Sequence, residues 1–342
     1  MFNILKDIGL ITVRVLVTGA TGFVGQHLVP ELLRKGFSVR CMVHRRPFDV
    51  RKLGKNVELI KGDITDALYI KKAVKDVDVV FHLAALLGRW QSEYPSSEYY
   101  RVNFMGTKLL IEQCLKESVN HFIYLSSAGV IGRAKRIPID EGCPCNPVFP
   151  YEQSKYFAEL EIGRAVERKG FPATIVRAAH VYGPGDMNTL KIFRVIKRFK
   201  VFPLINGGRA IFQPIYVKDL VEALLLCMEK RDVSSGKTYI IAGSDRVSFK
   251  DFIRLSAELL KVPLRCFSMP KPLANFIGLA CEAIFPFFRH EPPLTRSRVE
   301  FFSRNQAYSI NKAREELGFF PKTDLKSGLQ MTISWYEENA ML

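Results

Sequence analysis

Apolar and polar positions in the first half of the chain fall into a repeating rhythm. Val13-Arg14-Val15-Leu16-Val17 is a β-branched run closed by Thr18-Gly19, and beyond Gly22 the apolar residues Phe23, Val24, Leu28, Leu32 and Leu33 recur at helical spacing. This reads as strand, tight turn, helix. Further strands are predicted at Ser38–Val43, Val57–Ile60, Val77–Leu83, Phe122–Leu125 and Thr174–Val176, separated by segments long enough for crossover helices. Such alternation predicts an α/β fold: a doubly wound parallel sheet with helices on both faces.

Beyond Val181 the rhythm loosens. A basic helix is predicted over Leu190–Phe199, a short strand over Phe212–Ile215, a helix over Val217–Cys227, and a strand over Thr238–Ala242 that rejoins the large sheet. Helical segments then follow at Asp251–Leu260, Pro272–Phe285, Arg296–Phe302 and Lys326–Glu338. The predicted division is a dinucleotide-binding domain over 12–182, its sheet completed by 212–242, and a smaller, mostly helical substrate lobe over 183–211 and 243–340. The substrate is expected between the two, at the strand ends.

At 342 residues the chain is longer than a usual single core, in keeping with one large domain and an attached lobe. A hydrophobic fraction of 48% with 25% charged residues excludes a disordered chain. The balance of 50 basic to 34 acidic residues, net +16, favours anionic partners: a phosphorylated cofactor, an acidic substrate or a lipid surface. No nucleic-acid motif accompanies it. From Lys191 to Lys200 the chain alternates apolar residues with cations, a pattern that suits a peripheral contact with anionic lipid and equally a solvated surface helix. The seven cysteines lack the paired spacing of zinc or thioredoxin sites, and Cys143-Pro144-Cys145 has no His or Cys cluster beside it, so reduced intracellular thiols and no metal are expected. Met1–Val17 is interrupted by Lys6, Asp7 and Arg14, unlike a signal peptide. The longest apolar run, Leu273–Phe288, contains Glu282 and Pro286 and is too short to span a membrane, so a cytoplasmic protein is expected.

Three stretches carry the chemistry. Gly19, Gly22 and Gly25 follow the G-x-x-G-x-x-G spacing between the first strand and the first helix, where small residues let backbone approach a pyrophosphate and a helix N-terminus offers unpaired N–H groups. The second strand ends in Val43-His44-Arg45-Arg46. An acid here would grip a ribose 2′-hydroxyl, whereas these cations favour a 2′-phosphate and hence NADP over NAD. In Tyr151-Glu152-Gln153-Ser154-Lys155 a phenol stands one helical turn before an ammonium, which favours the phenolate and brings the phenol towards useful acid/base poise. Alone, that pair is an ordinary feature of an amphipathic helix. Ser126-Ser127 adds a hydroxyl to hold a substrate oxygen. Asp63, in Gly62-Asp63-Ile64-Thr65-Asp66, is placed to accept from an adenine amino group, although a helix cap explains one of these acids equally well. His82 reads as a packed strand residue.

Together with Ala84-Ala85, Asn103 and Gly106-Thr107, Ser126 to Val130, and Arg177 to Gly185, these motifs make the chain resemble an extended short-chain dehydrogenase/reductase over nearly its whole length. The resemblance implies a Rossmann sheet, a variable substrate lobe, and NADP or NAD as cofactor. It implies that Ser127 bonds the substrate oxygen, that Tyr151 transfers the proton, that Lys155 also holds the nicotinamide ribose, and that Asn103 steadies neighbouring backbone or a relay water. The cofactor is implied to lie against Gly19, Thr21, Gly22, Phe23, Val24 and Gly25, then His44 and Arg45, Asp63 and Ile64, and Leu83, Ala84 and Ala85. It then meets Tyr151 and Lys155, with Ala178 and Val181 further on. Members often pair as homodimers through two helices flanking the sheet.

Within that family the residues after the serine separate the reactions. Ser127-Ala128-Gly129 lacks the Thr-Asp-Glu of dehydratases. Ile131 replaces the epimerase Tyr, Phe212-Gln213-Pro214-Ile215-Tyr216-Val217 occupies the stretch where a diphosphate-binding Arg is expected, and His180 stands for a common Asn. Arg209 or Arg296 could supply the missing charge. The apolar second lobe, Pro270–Ile277 and Phe285–Phe288, either packs as core or lines a hydrophobic site. An alcohol/ketone oxidoreductase for a bulky or hydrophobic substrate, similar to 3β-hydroxysteroid dehydrogenases and dihydroflavonol reductases, leads. A sugar-nucleotide epimerase follows, and Phe212-Gln213-Pro214 with Pro292-Pro293-Leu294-Thr295 also resembles a non-catalytic, NADPH-binding accessory subunit of respiratory complex I.

Overall fold

A computed structural model describes residues 13–45, 56–87, 94–285 and 291–342. The N-terminal residues up to Thr12, Arg46, and the Pro286–Phe288 end of the apolar run lie outside the described residues. The first half alternates through β1 (Arg14–Thr18), α1 (Phe23–Arg34), β2 (Ser38–Val43), β3 (Val57–Lys61), α2 (Ala67–Val74), β4 (Val79–His82), α3 (Ser96–Tyr99), α4 (Gly106–Lys116), β5 (His121–Ser127), α5 (Pro150–Lys169) and β6 (Ala173–Ala178). A π-helical turn, Tyr100–Met105, joins α3 to α4. Then come β7 (Val181–Tyr182), α6 (Met187–Phe199), β8 (Val201–Ile205), β9 (Ile211–Phe212), β10 (Ile215–Tyr216), α7 (Val217–Glu229), α8 (Arg231–Ser234) and β11 (Thr238–Ile241). The chain closes with β12 (Val247–Ser248), α9 (Phe249–Leu259), β13 (Arg265–Met269), α10 (Lys271–Ile284), α11 (Arg296–Ser303), α12 (Asn311–Leu317) and α13 (Leu325–Glu338).

Seven parallel strands form the large sheet in the order β3-β2-β1-β4-β5-β6-β11. Sequence order reverses between β1 and β4, where Thr18 lies opposite His82, and a crevice opens at such a switch point beyond the strand ends. Alternation along β1 explains the two covered faces. Val15 and Val17 pack with Leu28, Val29 and Leu32 of α1 and with Leu220 and Leu224 of α7. Leu16 packs the other way, with Ile70, Leu110, Ala158 and Ile162.

Of the stretch 212–242 expected to complete the sheet, only Thr238–Ile241 does so, pairing with β6 at the edge. The single strand expected over Phe212–Ile215 is two short ones: β9 pairs with β12 and β10 with β7. Gln213 and Pro214 separate them, and buried Gln213 binds the Gly243 carbonyl at 2.7 Å and the Tyr308 amide at 2.7 Å. That polar joint breaks the strand. The lobe has its own core, including Phe193, Ile196, Phe249, Phe252, Leu329 and Tyr336. The apolar face of α6 therefore packs inside the lobe, leaving Met187 and Phe199 as its exposed large apolar residues. No helix among the described residues is long and apolar enough to cross a membrane.

Candidate functional site

The turn after β1 is built on close backbone approach. Gly19 has φ +72°, and a Cβ there would stand 2.7 Å from the Ala84 amide nitrogen. At Gly25 a Cβ would meet the Gly19 carbonyl at 2.4 Å and the Ala20 Cα at 2.7 Å, so α1 starts directly against the turn. Gly22 caps α1 without a side-chain hydrogen bond, and the first turn holds no acid. The result is a glycine cradle ending in uncapped amides, which fits a pyrophosphate. Thr21, Phe23 and Val24 belong to the same turn and helix start.

The next strand exits lie alongside. His44 and Arg45 stand exposed past β2, with His44 Nε2 3.5 Å from Asp63 Oδ2 past β3. The other oxygen, Oδ1, accepts from the Thr65 amide and hydroxyl at 2.9 Å, while Asp66 is the acid that caps α2. Ile64 is buried against Gly106. Past β4, the Leu83 amide donates to the Thr18 carbonyl and the Ala84 amide to the Thr18 hydroxyl, holding the Leu83 to Ala85 backbone over the turn. His82 lies buried between the hydroxyls of Thr18 (2.7 Å) and Thr107 (2.8 Å), and burial drives its pKa well below the ordinary value. Neutral and enclosed, it is a packed strand residue.

Asn103, on the π-helical turn, clamps Leu86 from both sides. Its Oδ1 accepts the Leu86 amide at 2.6 Å and its Nδ2 donates to the Leu86 carbonyl at 3.0 Å and to the Ser154 hydroxyl at 2.9 Å. It thus ties the β4 exit to the helix that carries Tyr151.

Ser127 ends β5, opposite Ala178 on β6, and its Oγ accepts from the Gly129 amide at 3.1 Å. That leaves the hydroxyl proton for another oxygen. Tyr151 and Lys155 lie in the first half of α5, whose entry is fixed by Pro150 at its first position. The expected effect of Lys155 on Tyr151 is not the one found. Lys155 Nζ donates to the Leu125 carbonyl at 2.7 Å and sits 4.0 Å from the Tyr124 ring centroid. Burial, with Glu152 adding to it, pushes the Tyr151 phenol up to about 12. Burial also pushes Lys155 down to about 7, against the pull of Glu159.

Two buried ion pairs support this helix, and the sequence reading did not single them out. Glu159 accepts from Arg177 through Nε at 3.1 Å and Nη2 at 2.7 Å, and from the Ser126 hydroxyl. Glu152 accepts from Arg304 Nη2 at 3.1 Å. The signal was present: Glu152, Lys155 and Glu159 recur at three- and four-residue spacing on one face, which becomes the buried one. Val181 sits on β7, beside His180, whose ring lies 5.4 Å from those of both Phe212 and Phe301. Of the two cations offered for a diphosphate, Arg296 is held by Glu282 at 2.7 Å, and Arg209 lines a separate surface cavity with Lys250 and Ser268. All seven cysteines are free thiols.

The family model for the NAD dependent epimerase/dehydratase family matches residues 15–242. Sterol-4-alpha-carboxylate 3-dehydrogenase (decarboxylating) of Schizosaccharomyces pombe is 27% identical over 336 residues, covering 94% of this chain and 97% of its own. The 2-alkyl-3-oxoalkanoate reductase of Stenotrophomonas maltophilia is 27% identical over 328 residues, covering 93% and 97%. Among solved structures, MoeE5 in complex with UDP-glucose and NAD superposes with a TM-score of 0.76 at 28% identity, over 96% of this chain and 99% of that one.

Proposed function

Because the chain belongs to the NAD dependent epimerase/dehydratase family, as an extended short-chain enzyme acting with a nicotinamide cofactor on a small molecule, we propose that it interconverts an alcohol and a ketone on a bulky, hydrophobic substrate. What supports this reading is that Ser127 ends β5 while Tyr151 and Lys155 stand on α5, which Lys155 ties to β5 through the Leu125 carbonyl at 2.7 Å. Gly19 to Gly25 would hold the pyrophosphate, and Lys155 the nicotinamide ribose; the bound nicotinamide supplies or takes a hydride. The free proton of Ser127 donates to the substrate oxygen. Tyr151, still protonated at neutral pH because burial pushes its pKa up to about 12, gives its proton to that oxygen in the reductive direction. The half-buried His180 and Phe301 rings, backed by buried Phe212, would offer an apolar wall.

We infer NADP as the preferred cofactor from His44 and Arg45, since the β2 exit carries cations where a 2′-hydroxyl would call for an acid. Replacing Arg45→Asp should lower the ratio of NADPH to NADH affinity by roughly tenfold, the loss of one charge-assisted contact. An unchanged ratio in a fluorescence titration removes Arg45 as the reader.

The second reading is a sugar-nucleotide epimerase, favoured by the likeness to MoeE5 and opposed by Ile131, His180 and the occupied Arg296. A third is a cofactor-holding accessory subunit. One assay set separates them. NADPH-dependent turnover of a bulky ketone supports the leading reading, epimerisation of a UDP-sugar without net redox supports the second, and tight cofactor without turnover the third.

A further inference from the structure

Arg304, just past the end of α11, is the least satisfied cation beside the Ser127 and Tyr151 pair. Its side chain is 8% exposed, Nη2 reaches Glu152 at 3.1 Å, and Nη1 is buried with no hydrogen-bond partner. A buried donor without an acceptor costs about 1–3 kcal/mol, so an uncompensated guanidinium nitrogen calls for a partner. Glu152 does not complete the pairing, since its second oxygen already accepts the Val148 amide at 3.1 Å.

Arg304 also lines a cavity of about 330 Å³ together with Arg133, Lys135, Arg136, Lys271 and Glu300. Five cations face one carboxylate there. Glu300 is consumed by its neighbours: Arg133 holds it at 2.5 and 2.6 Å and Lys271 at 3.0 Å, which brings its pKa down to about 2 despite burial. Arg136 is turned onto Asp140 at 2.9 Å. Lys135 remains exposed on the rim.

The cavity adjoins the reacting position. Glu152 directly follows Tyr151, and a Cβ built on Gly129 would lie 3.0 Å from Glu152 Oε1 and 3.1 Å from Ser127 Oγ. Arg304 is thus one side chain away from the hydroxyl proposed to hold the substrate oxygen. Resting on the oxidoreductase reading above, we propose that this cavity is an anion subsite in which Arg304, helped by Lys135, binds a carboxylate or phosphate carried by the substrate. A planar guanidinium with a free Nη1 matches either oxyanion, and the surrounding cations make the cavity selective for charge rather than for an apolar tail.

The test titrates the full-length protein, loaded with saturating NADPH so that the glycine cradle is filled, with inorganic phosphate in one arm and succinate in the other. Sodium chloride at matched ionic strength is the reference, and thermal stability the readout. A saturable rise in Tm over chloride is expected in at least one arm, and the arm that saturates identifies the group. Arg304→Lys keeps the charge opposite Glu152, and Lys135→Glu alters only the rim, so both variants retain the fold. Each should raise the half-saturating concentration by roughly tenfold, the effect of losing one charge-assisted contact. No saturable effect with either anion, or the same half-saturation in wild type and both variants, overturns the subsite. If NADPH itself fails to bind, the oxidoreductase reading falls, and the same titration on the unloaded variants still decides whether Arg304 binds an anion.

Discussion

Lys155 shows how far one side chain's role depends on what surrounds it. Four residues after Tyr151 it reads as a cation that eases the phenol's ionisation, yet in the folded chain its ammonium faces the Leu125 carbonyl and the Tyr124 ring, and both groups are governed by burial. The consequence can be measured. With a folded-state pKa of about 7 against an ordinary 10.5, Lys155 binds fewer protons in the native than in the unfolded state across that interval, so its contribution to stability rises with pH from about 7 to 10.5. Lys155→Met should remove this rise. Urea unfolding between about pH 7 and pH 10 is expected to give a flatter profile for the variant than for the wild type, and parallel profiles would show that Lys155 is not desolvated as described.

Among the elements, the strands of the large sheet other than the exposed edge strand β3 were legible because they are buried on both faces and read as largely apolar blocks. The glycine turn was legible because only small residues allow Gly19 and Gly25 to meet backbone. What the pattern could not supply were features with no period of their own: the two-residue strands around Gln213, the π-helical turn that aims Asn103 at Leu86, and the Glu152–Arg304 pair joined across 152 positions. Ser127, Tyr151, Lys155 and Asn103 were legible through their order along the chain, whereas the polar network beneath them exists only once α5 lies against β5 and β6. The glycine turn also carries the plainest element-level expectation. Gly25→Ala places a methyl against the Gly19 carbonyl and Ala20, so it should cost about 1–3 kcal/mol of stability by overpacking and weaken NADPH binding at the same time. Unchanged unfolding and cofactor titrations would mean that the turn is looser than its geometry.

At the scale of the whole molecule, the sheet holds the glycine turn at its switch point, while the lobe, built on a separate core, packs Phe301 against His180 just past β6. The sheet domain also carries an aromatic cluster near exposed apolar residues. Tyr100, Phe104 and Phe157 cluster across the π-helical turn and α5 with ring centroids 4.9 to 6.1 Å apart, next to exposed Met105 and Leu160. We propose that this face joins two copies through the π-helical turn and α5. Light scattering should find a dimer for the wild type and a monomer for Phe157→Arg; a monomeric wild type would refute the pairing.

The central claim is that Tyr151 is the proton donor of a nicotinamide-dependent ketone reduction, and Tyr151→Phe tests it most directly, because the substitution removes one oxygen and leaves the ring. NADPH oxidation with a panel of bulky ketones is measured alongside NADPH binding by fluorescence for wild type and variant. Unchanged NADPH affinity with turnover lowered by about 10²- to 10⁴-fold is the expected result. Turnover retained in the variant would contradict the account.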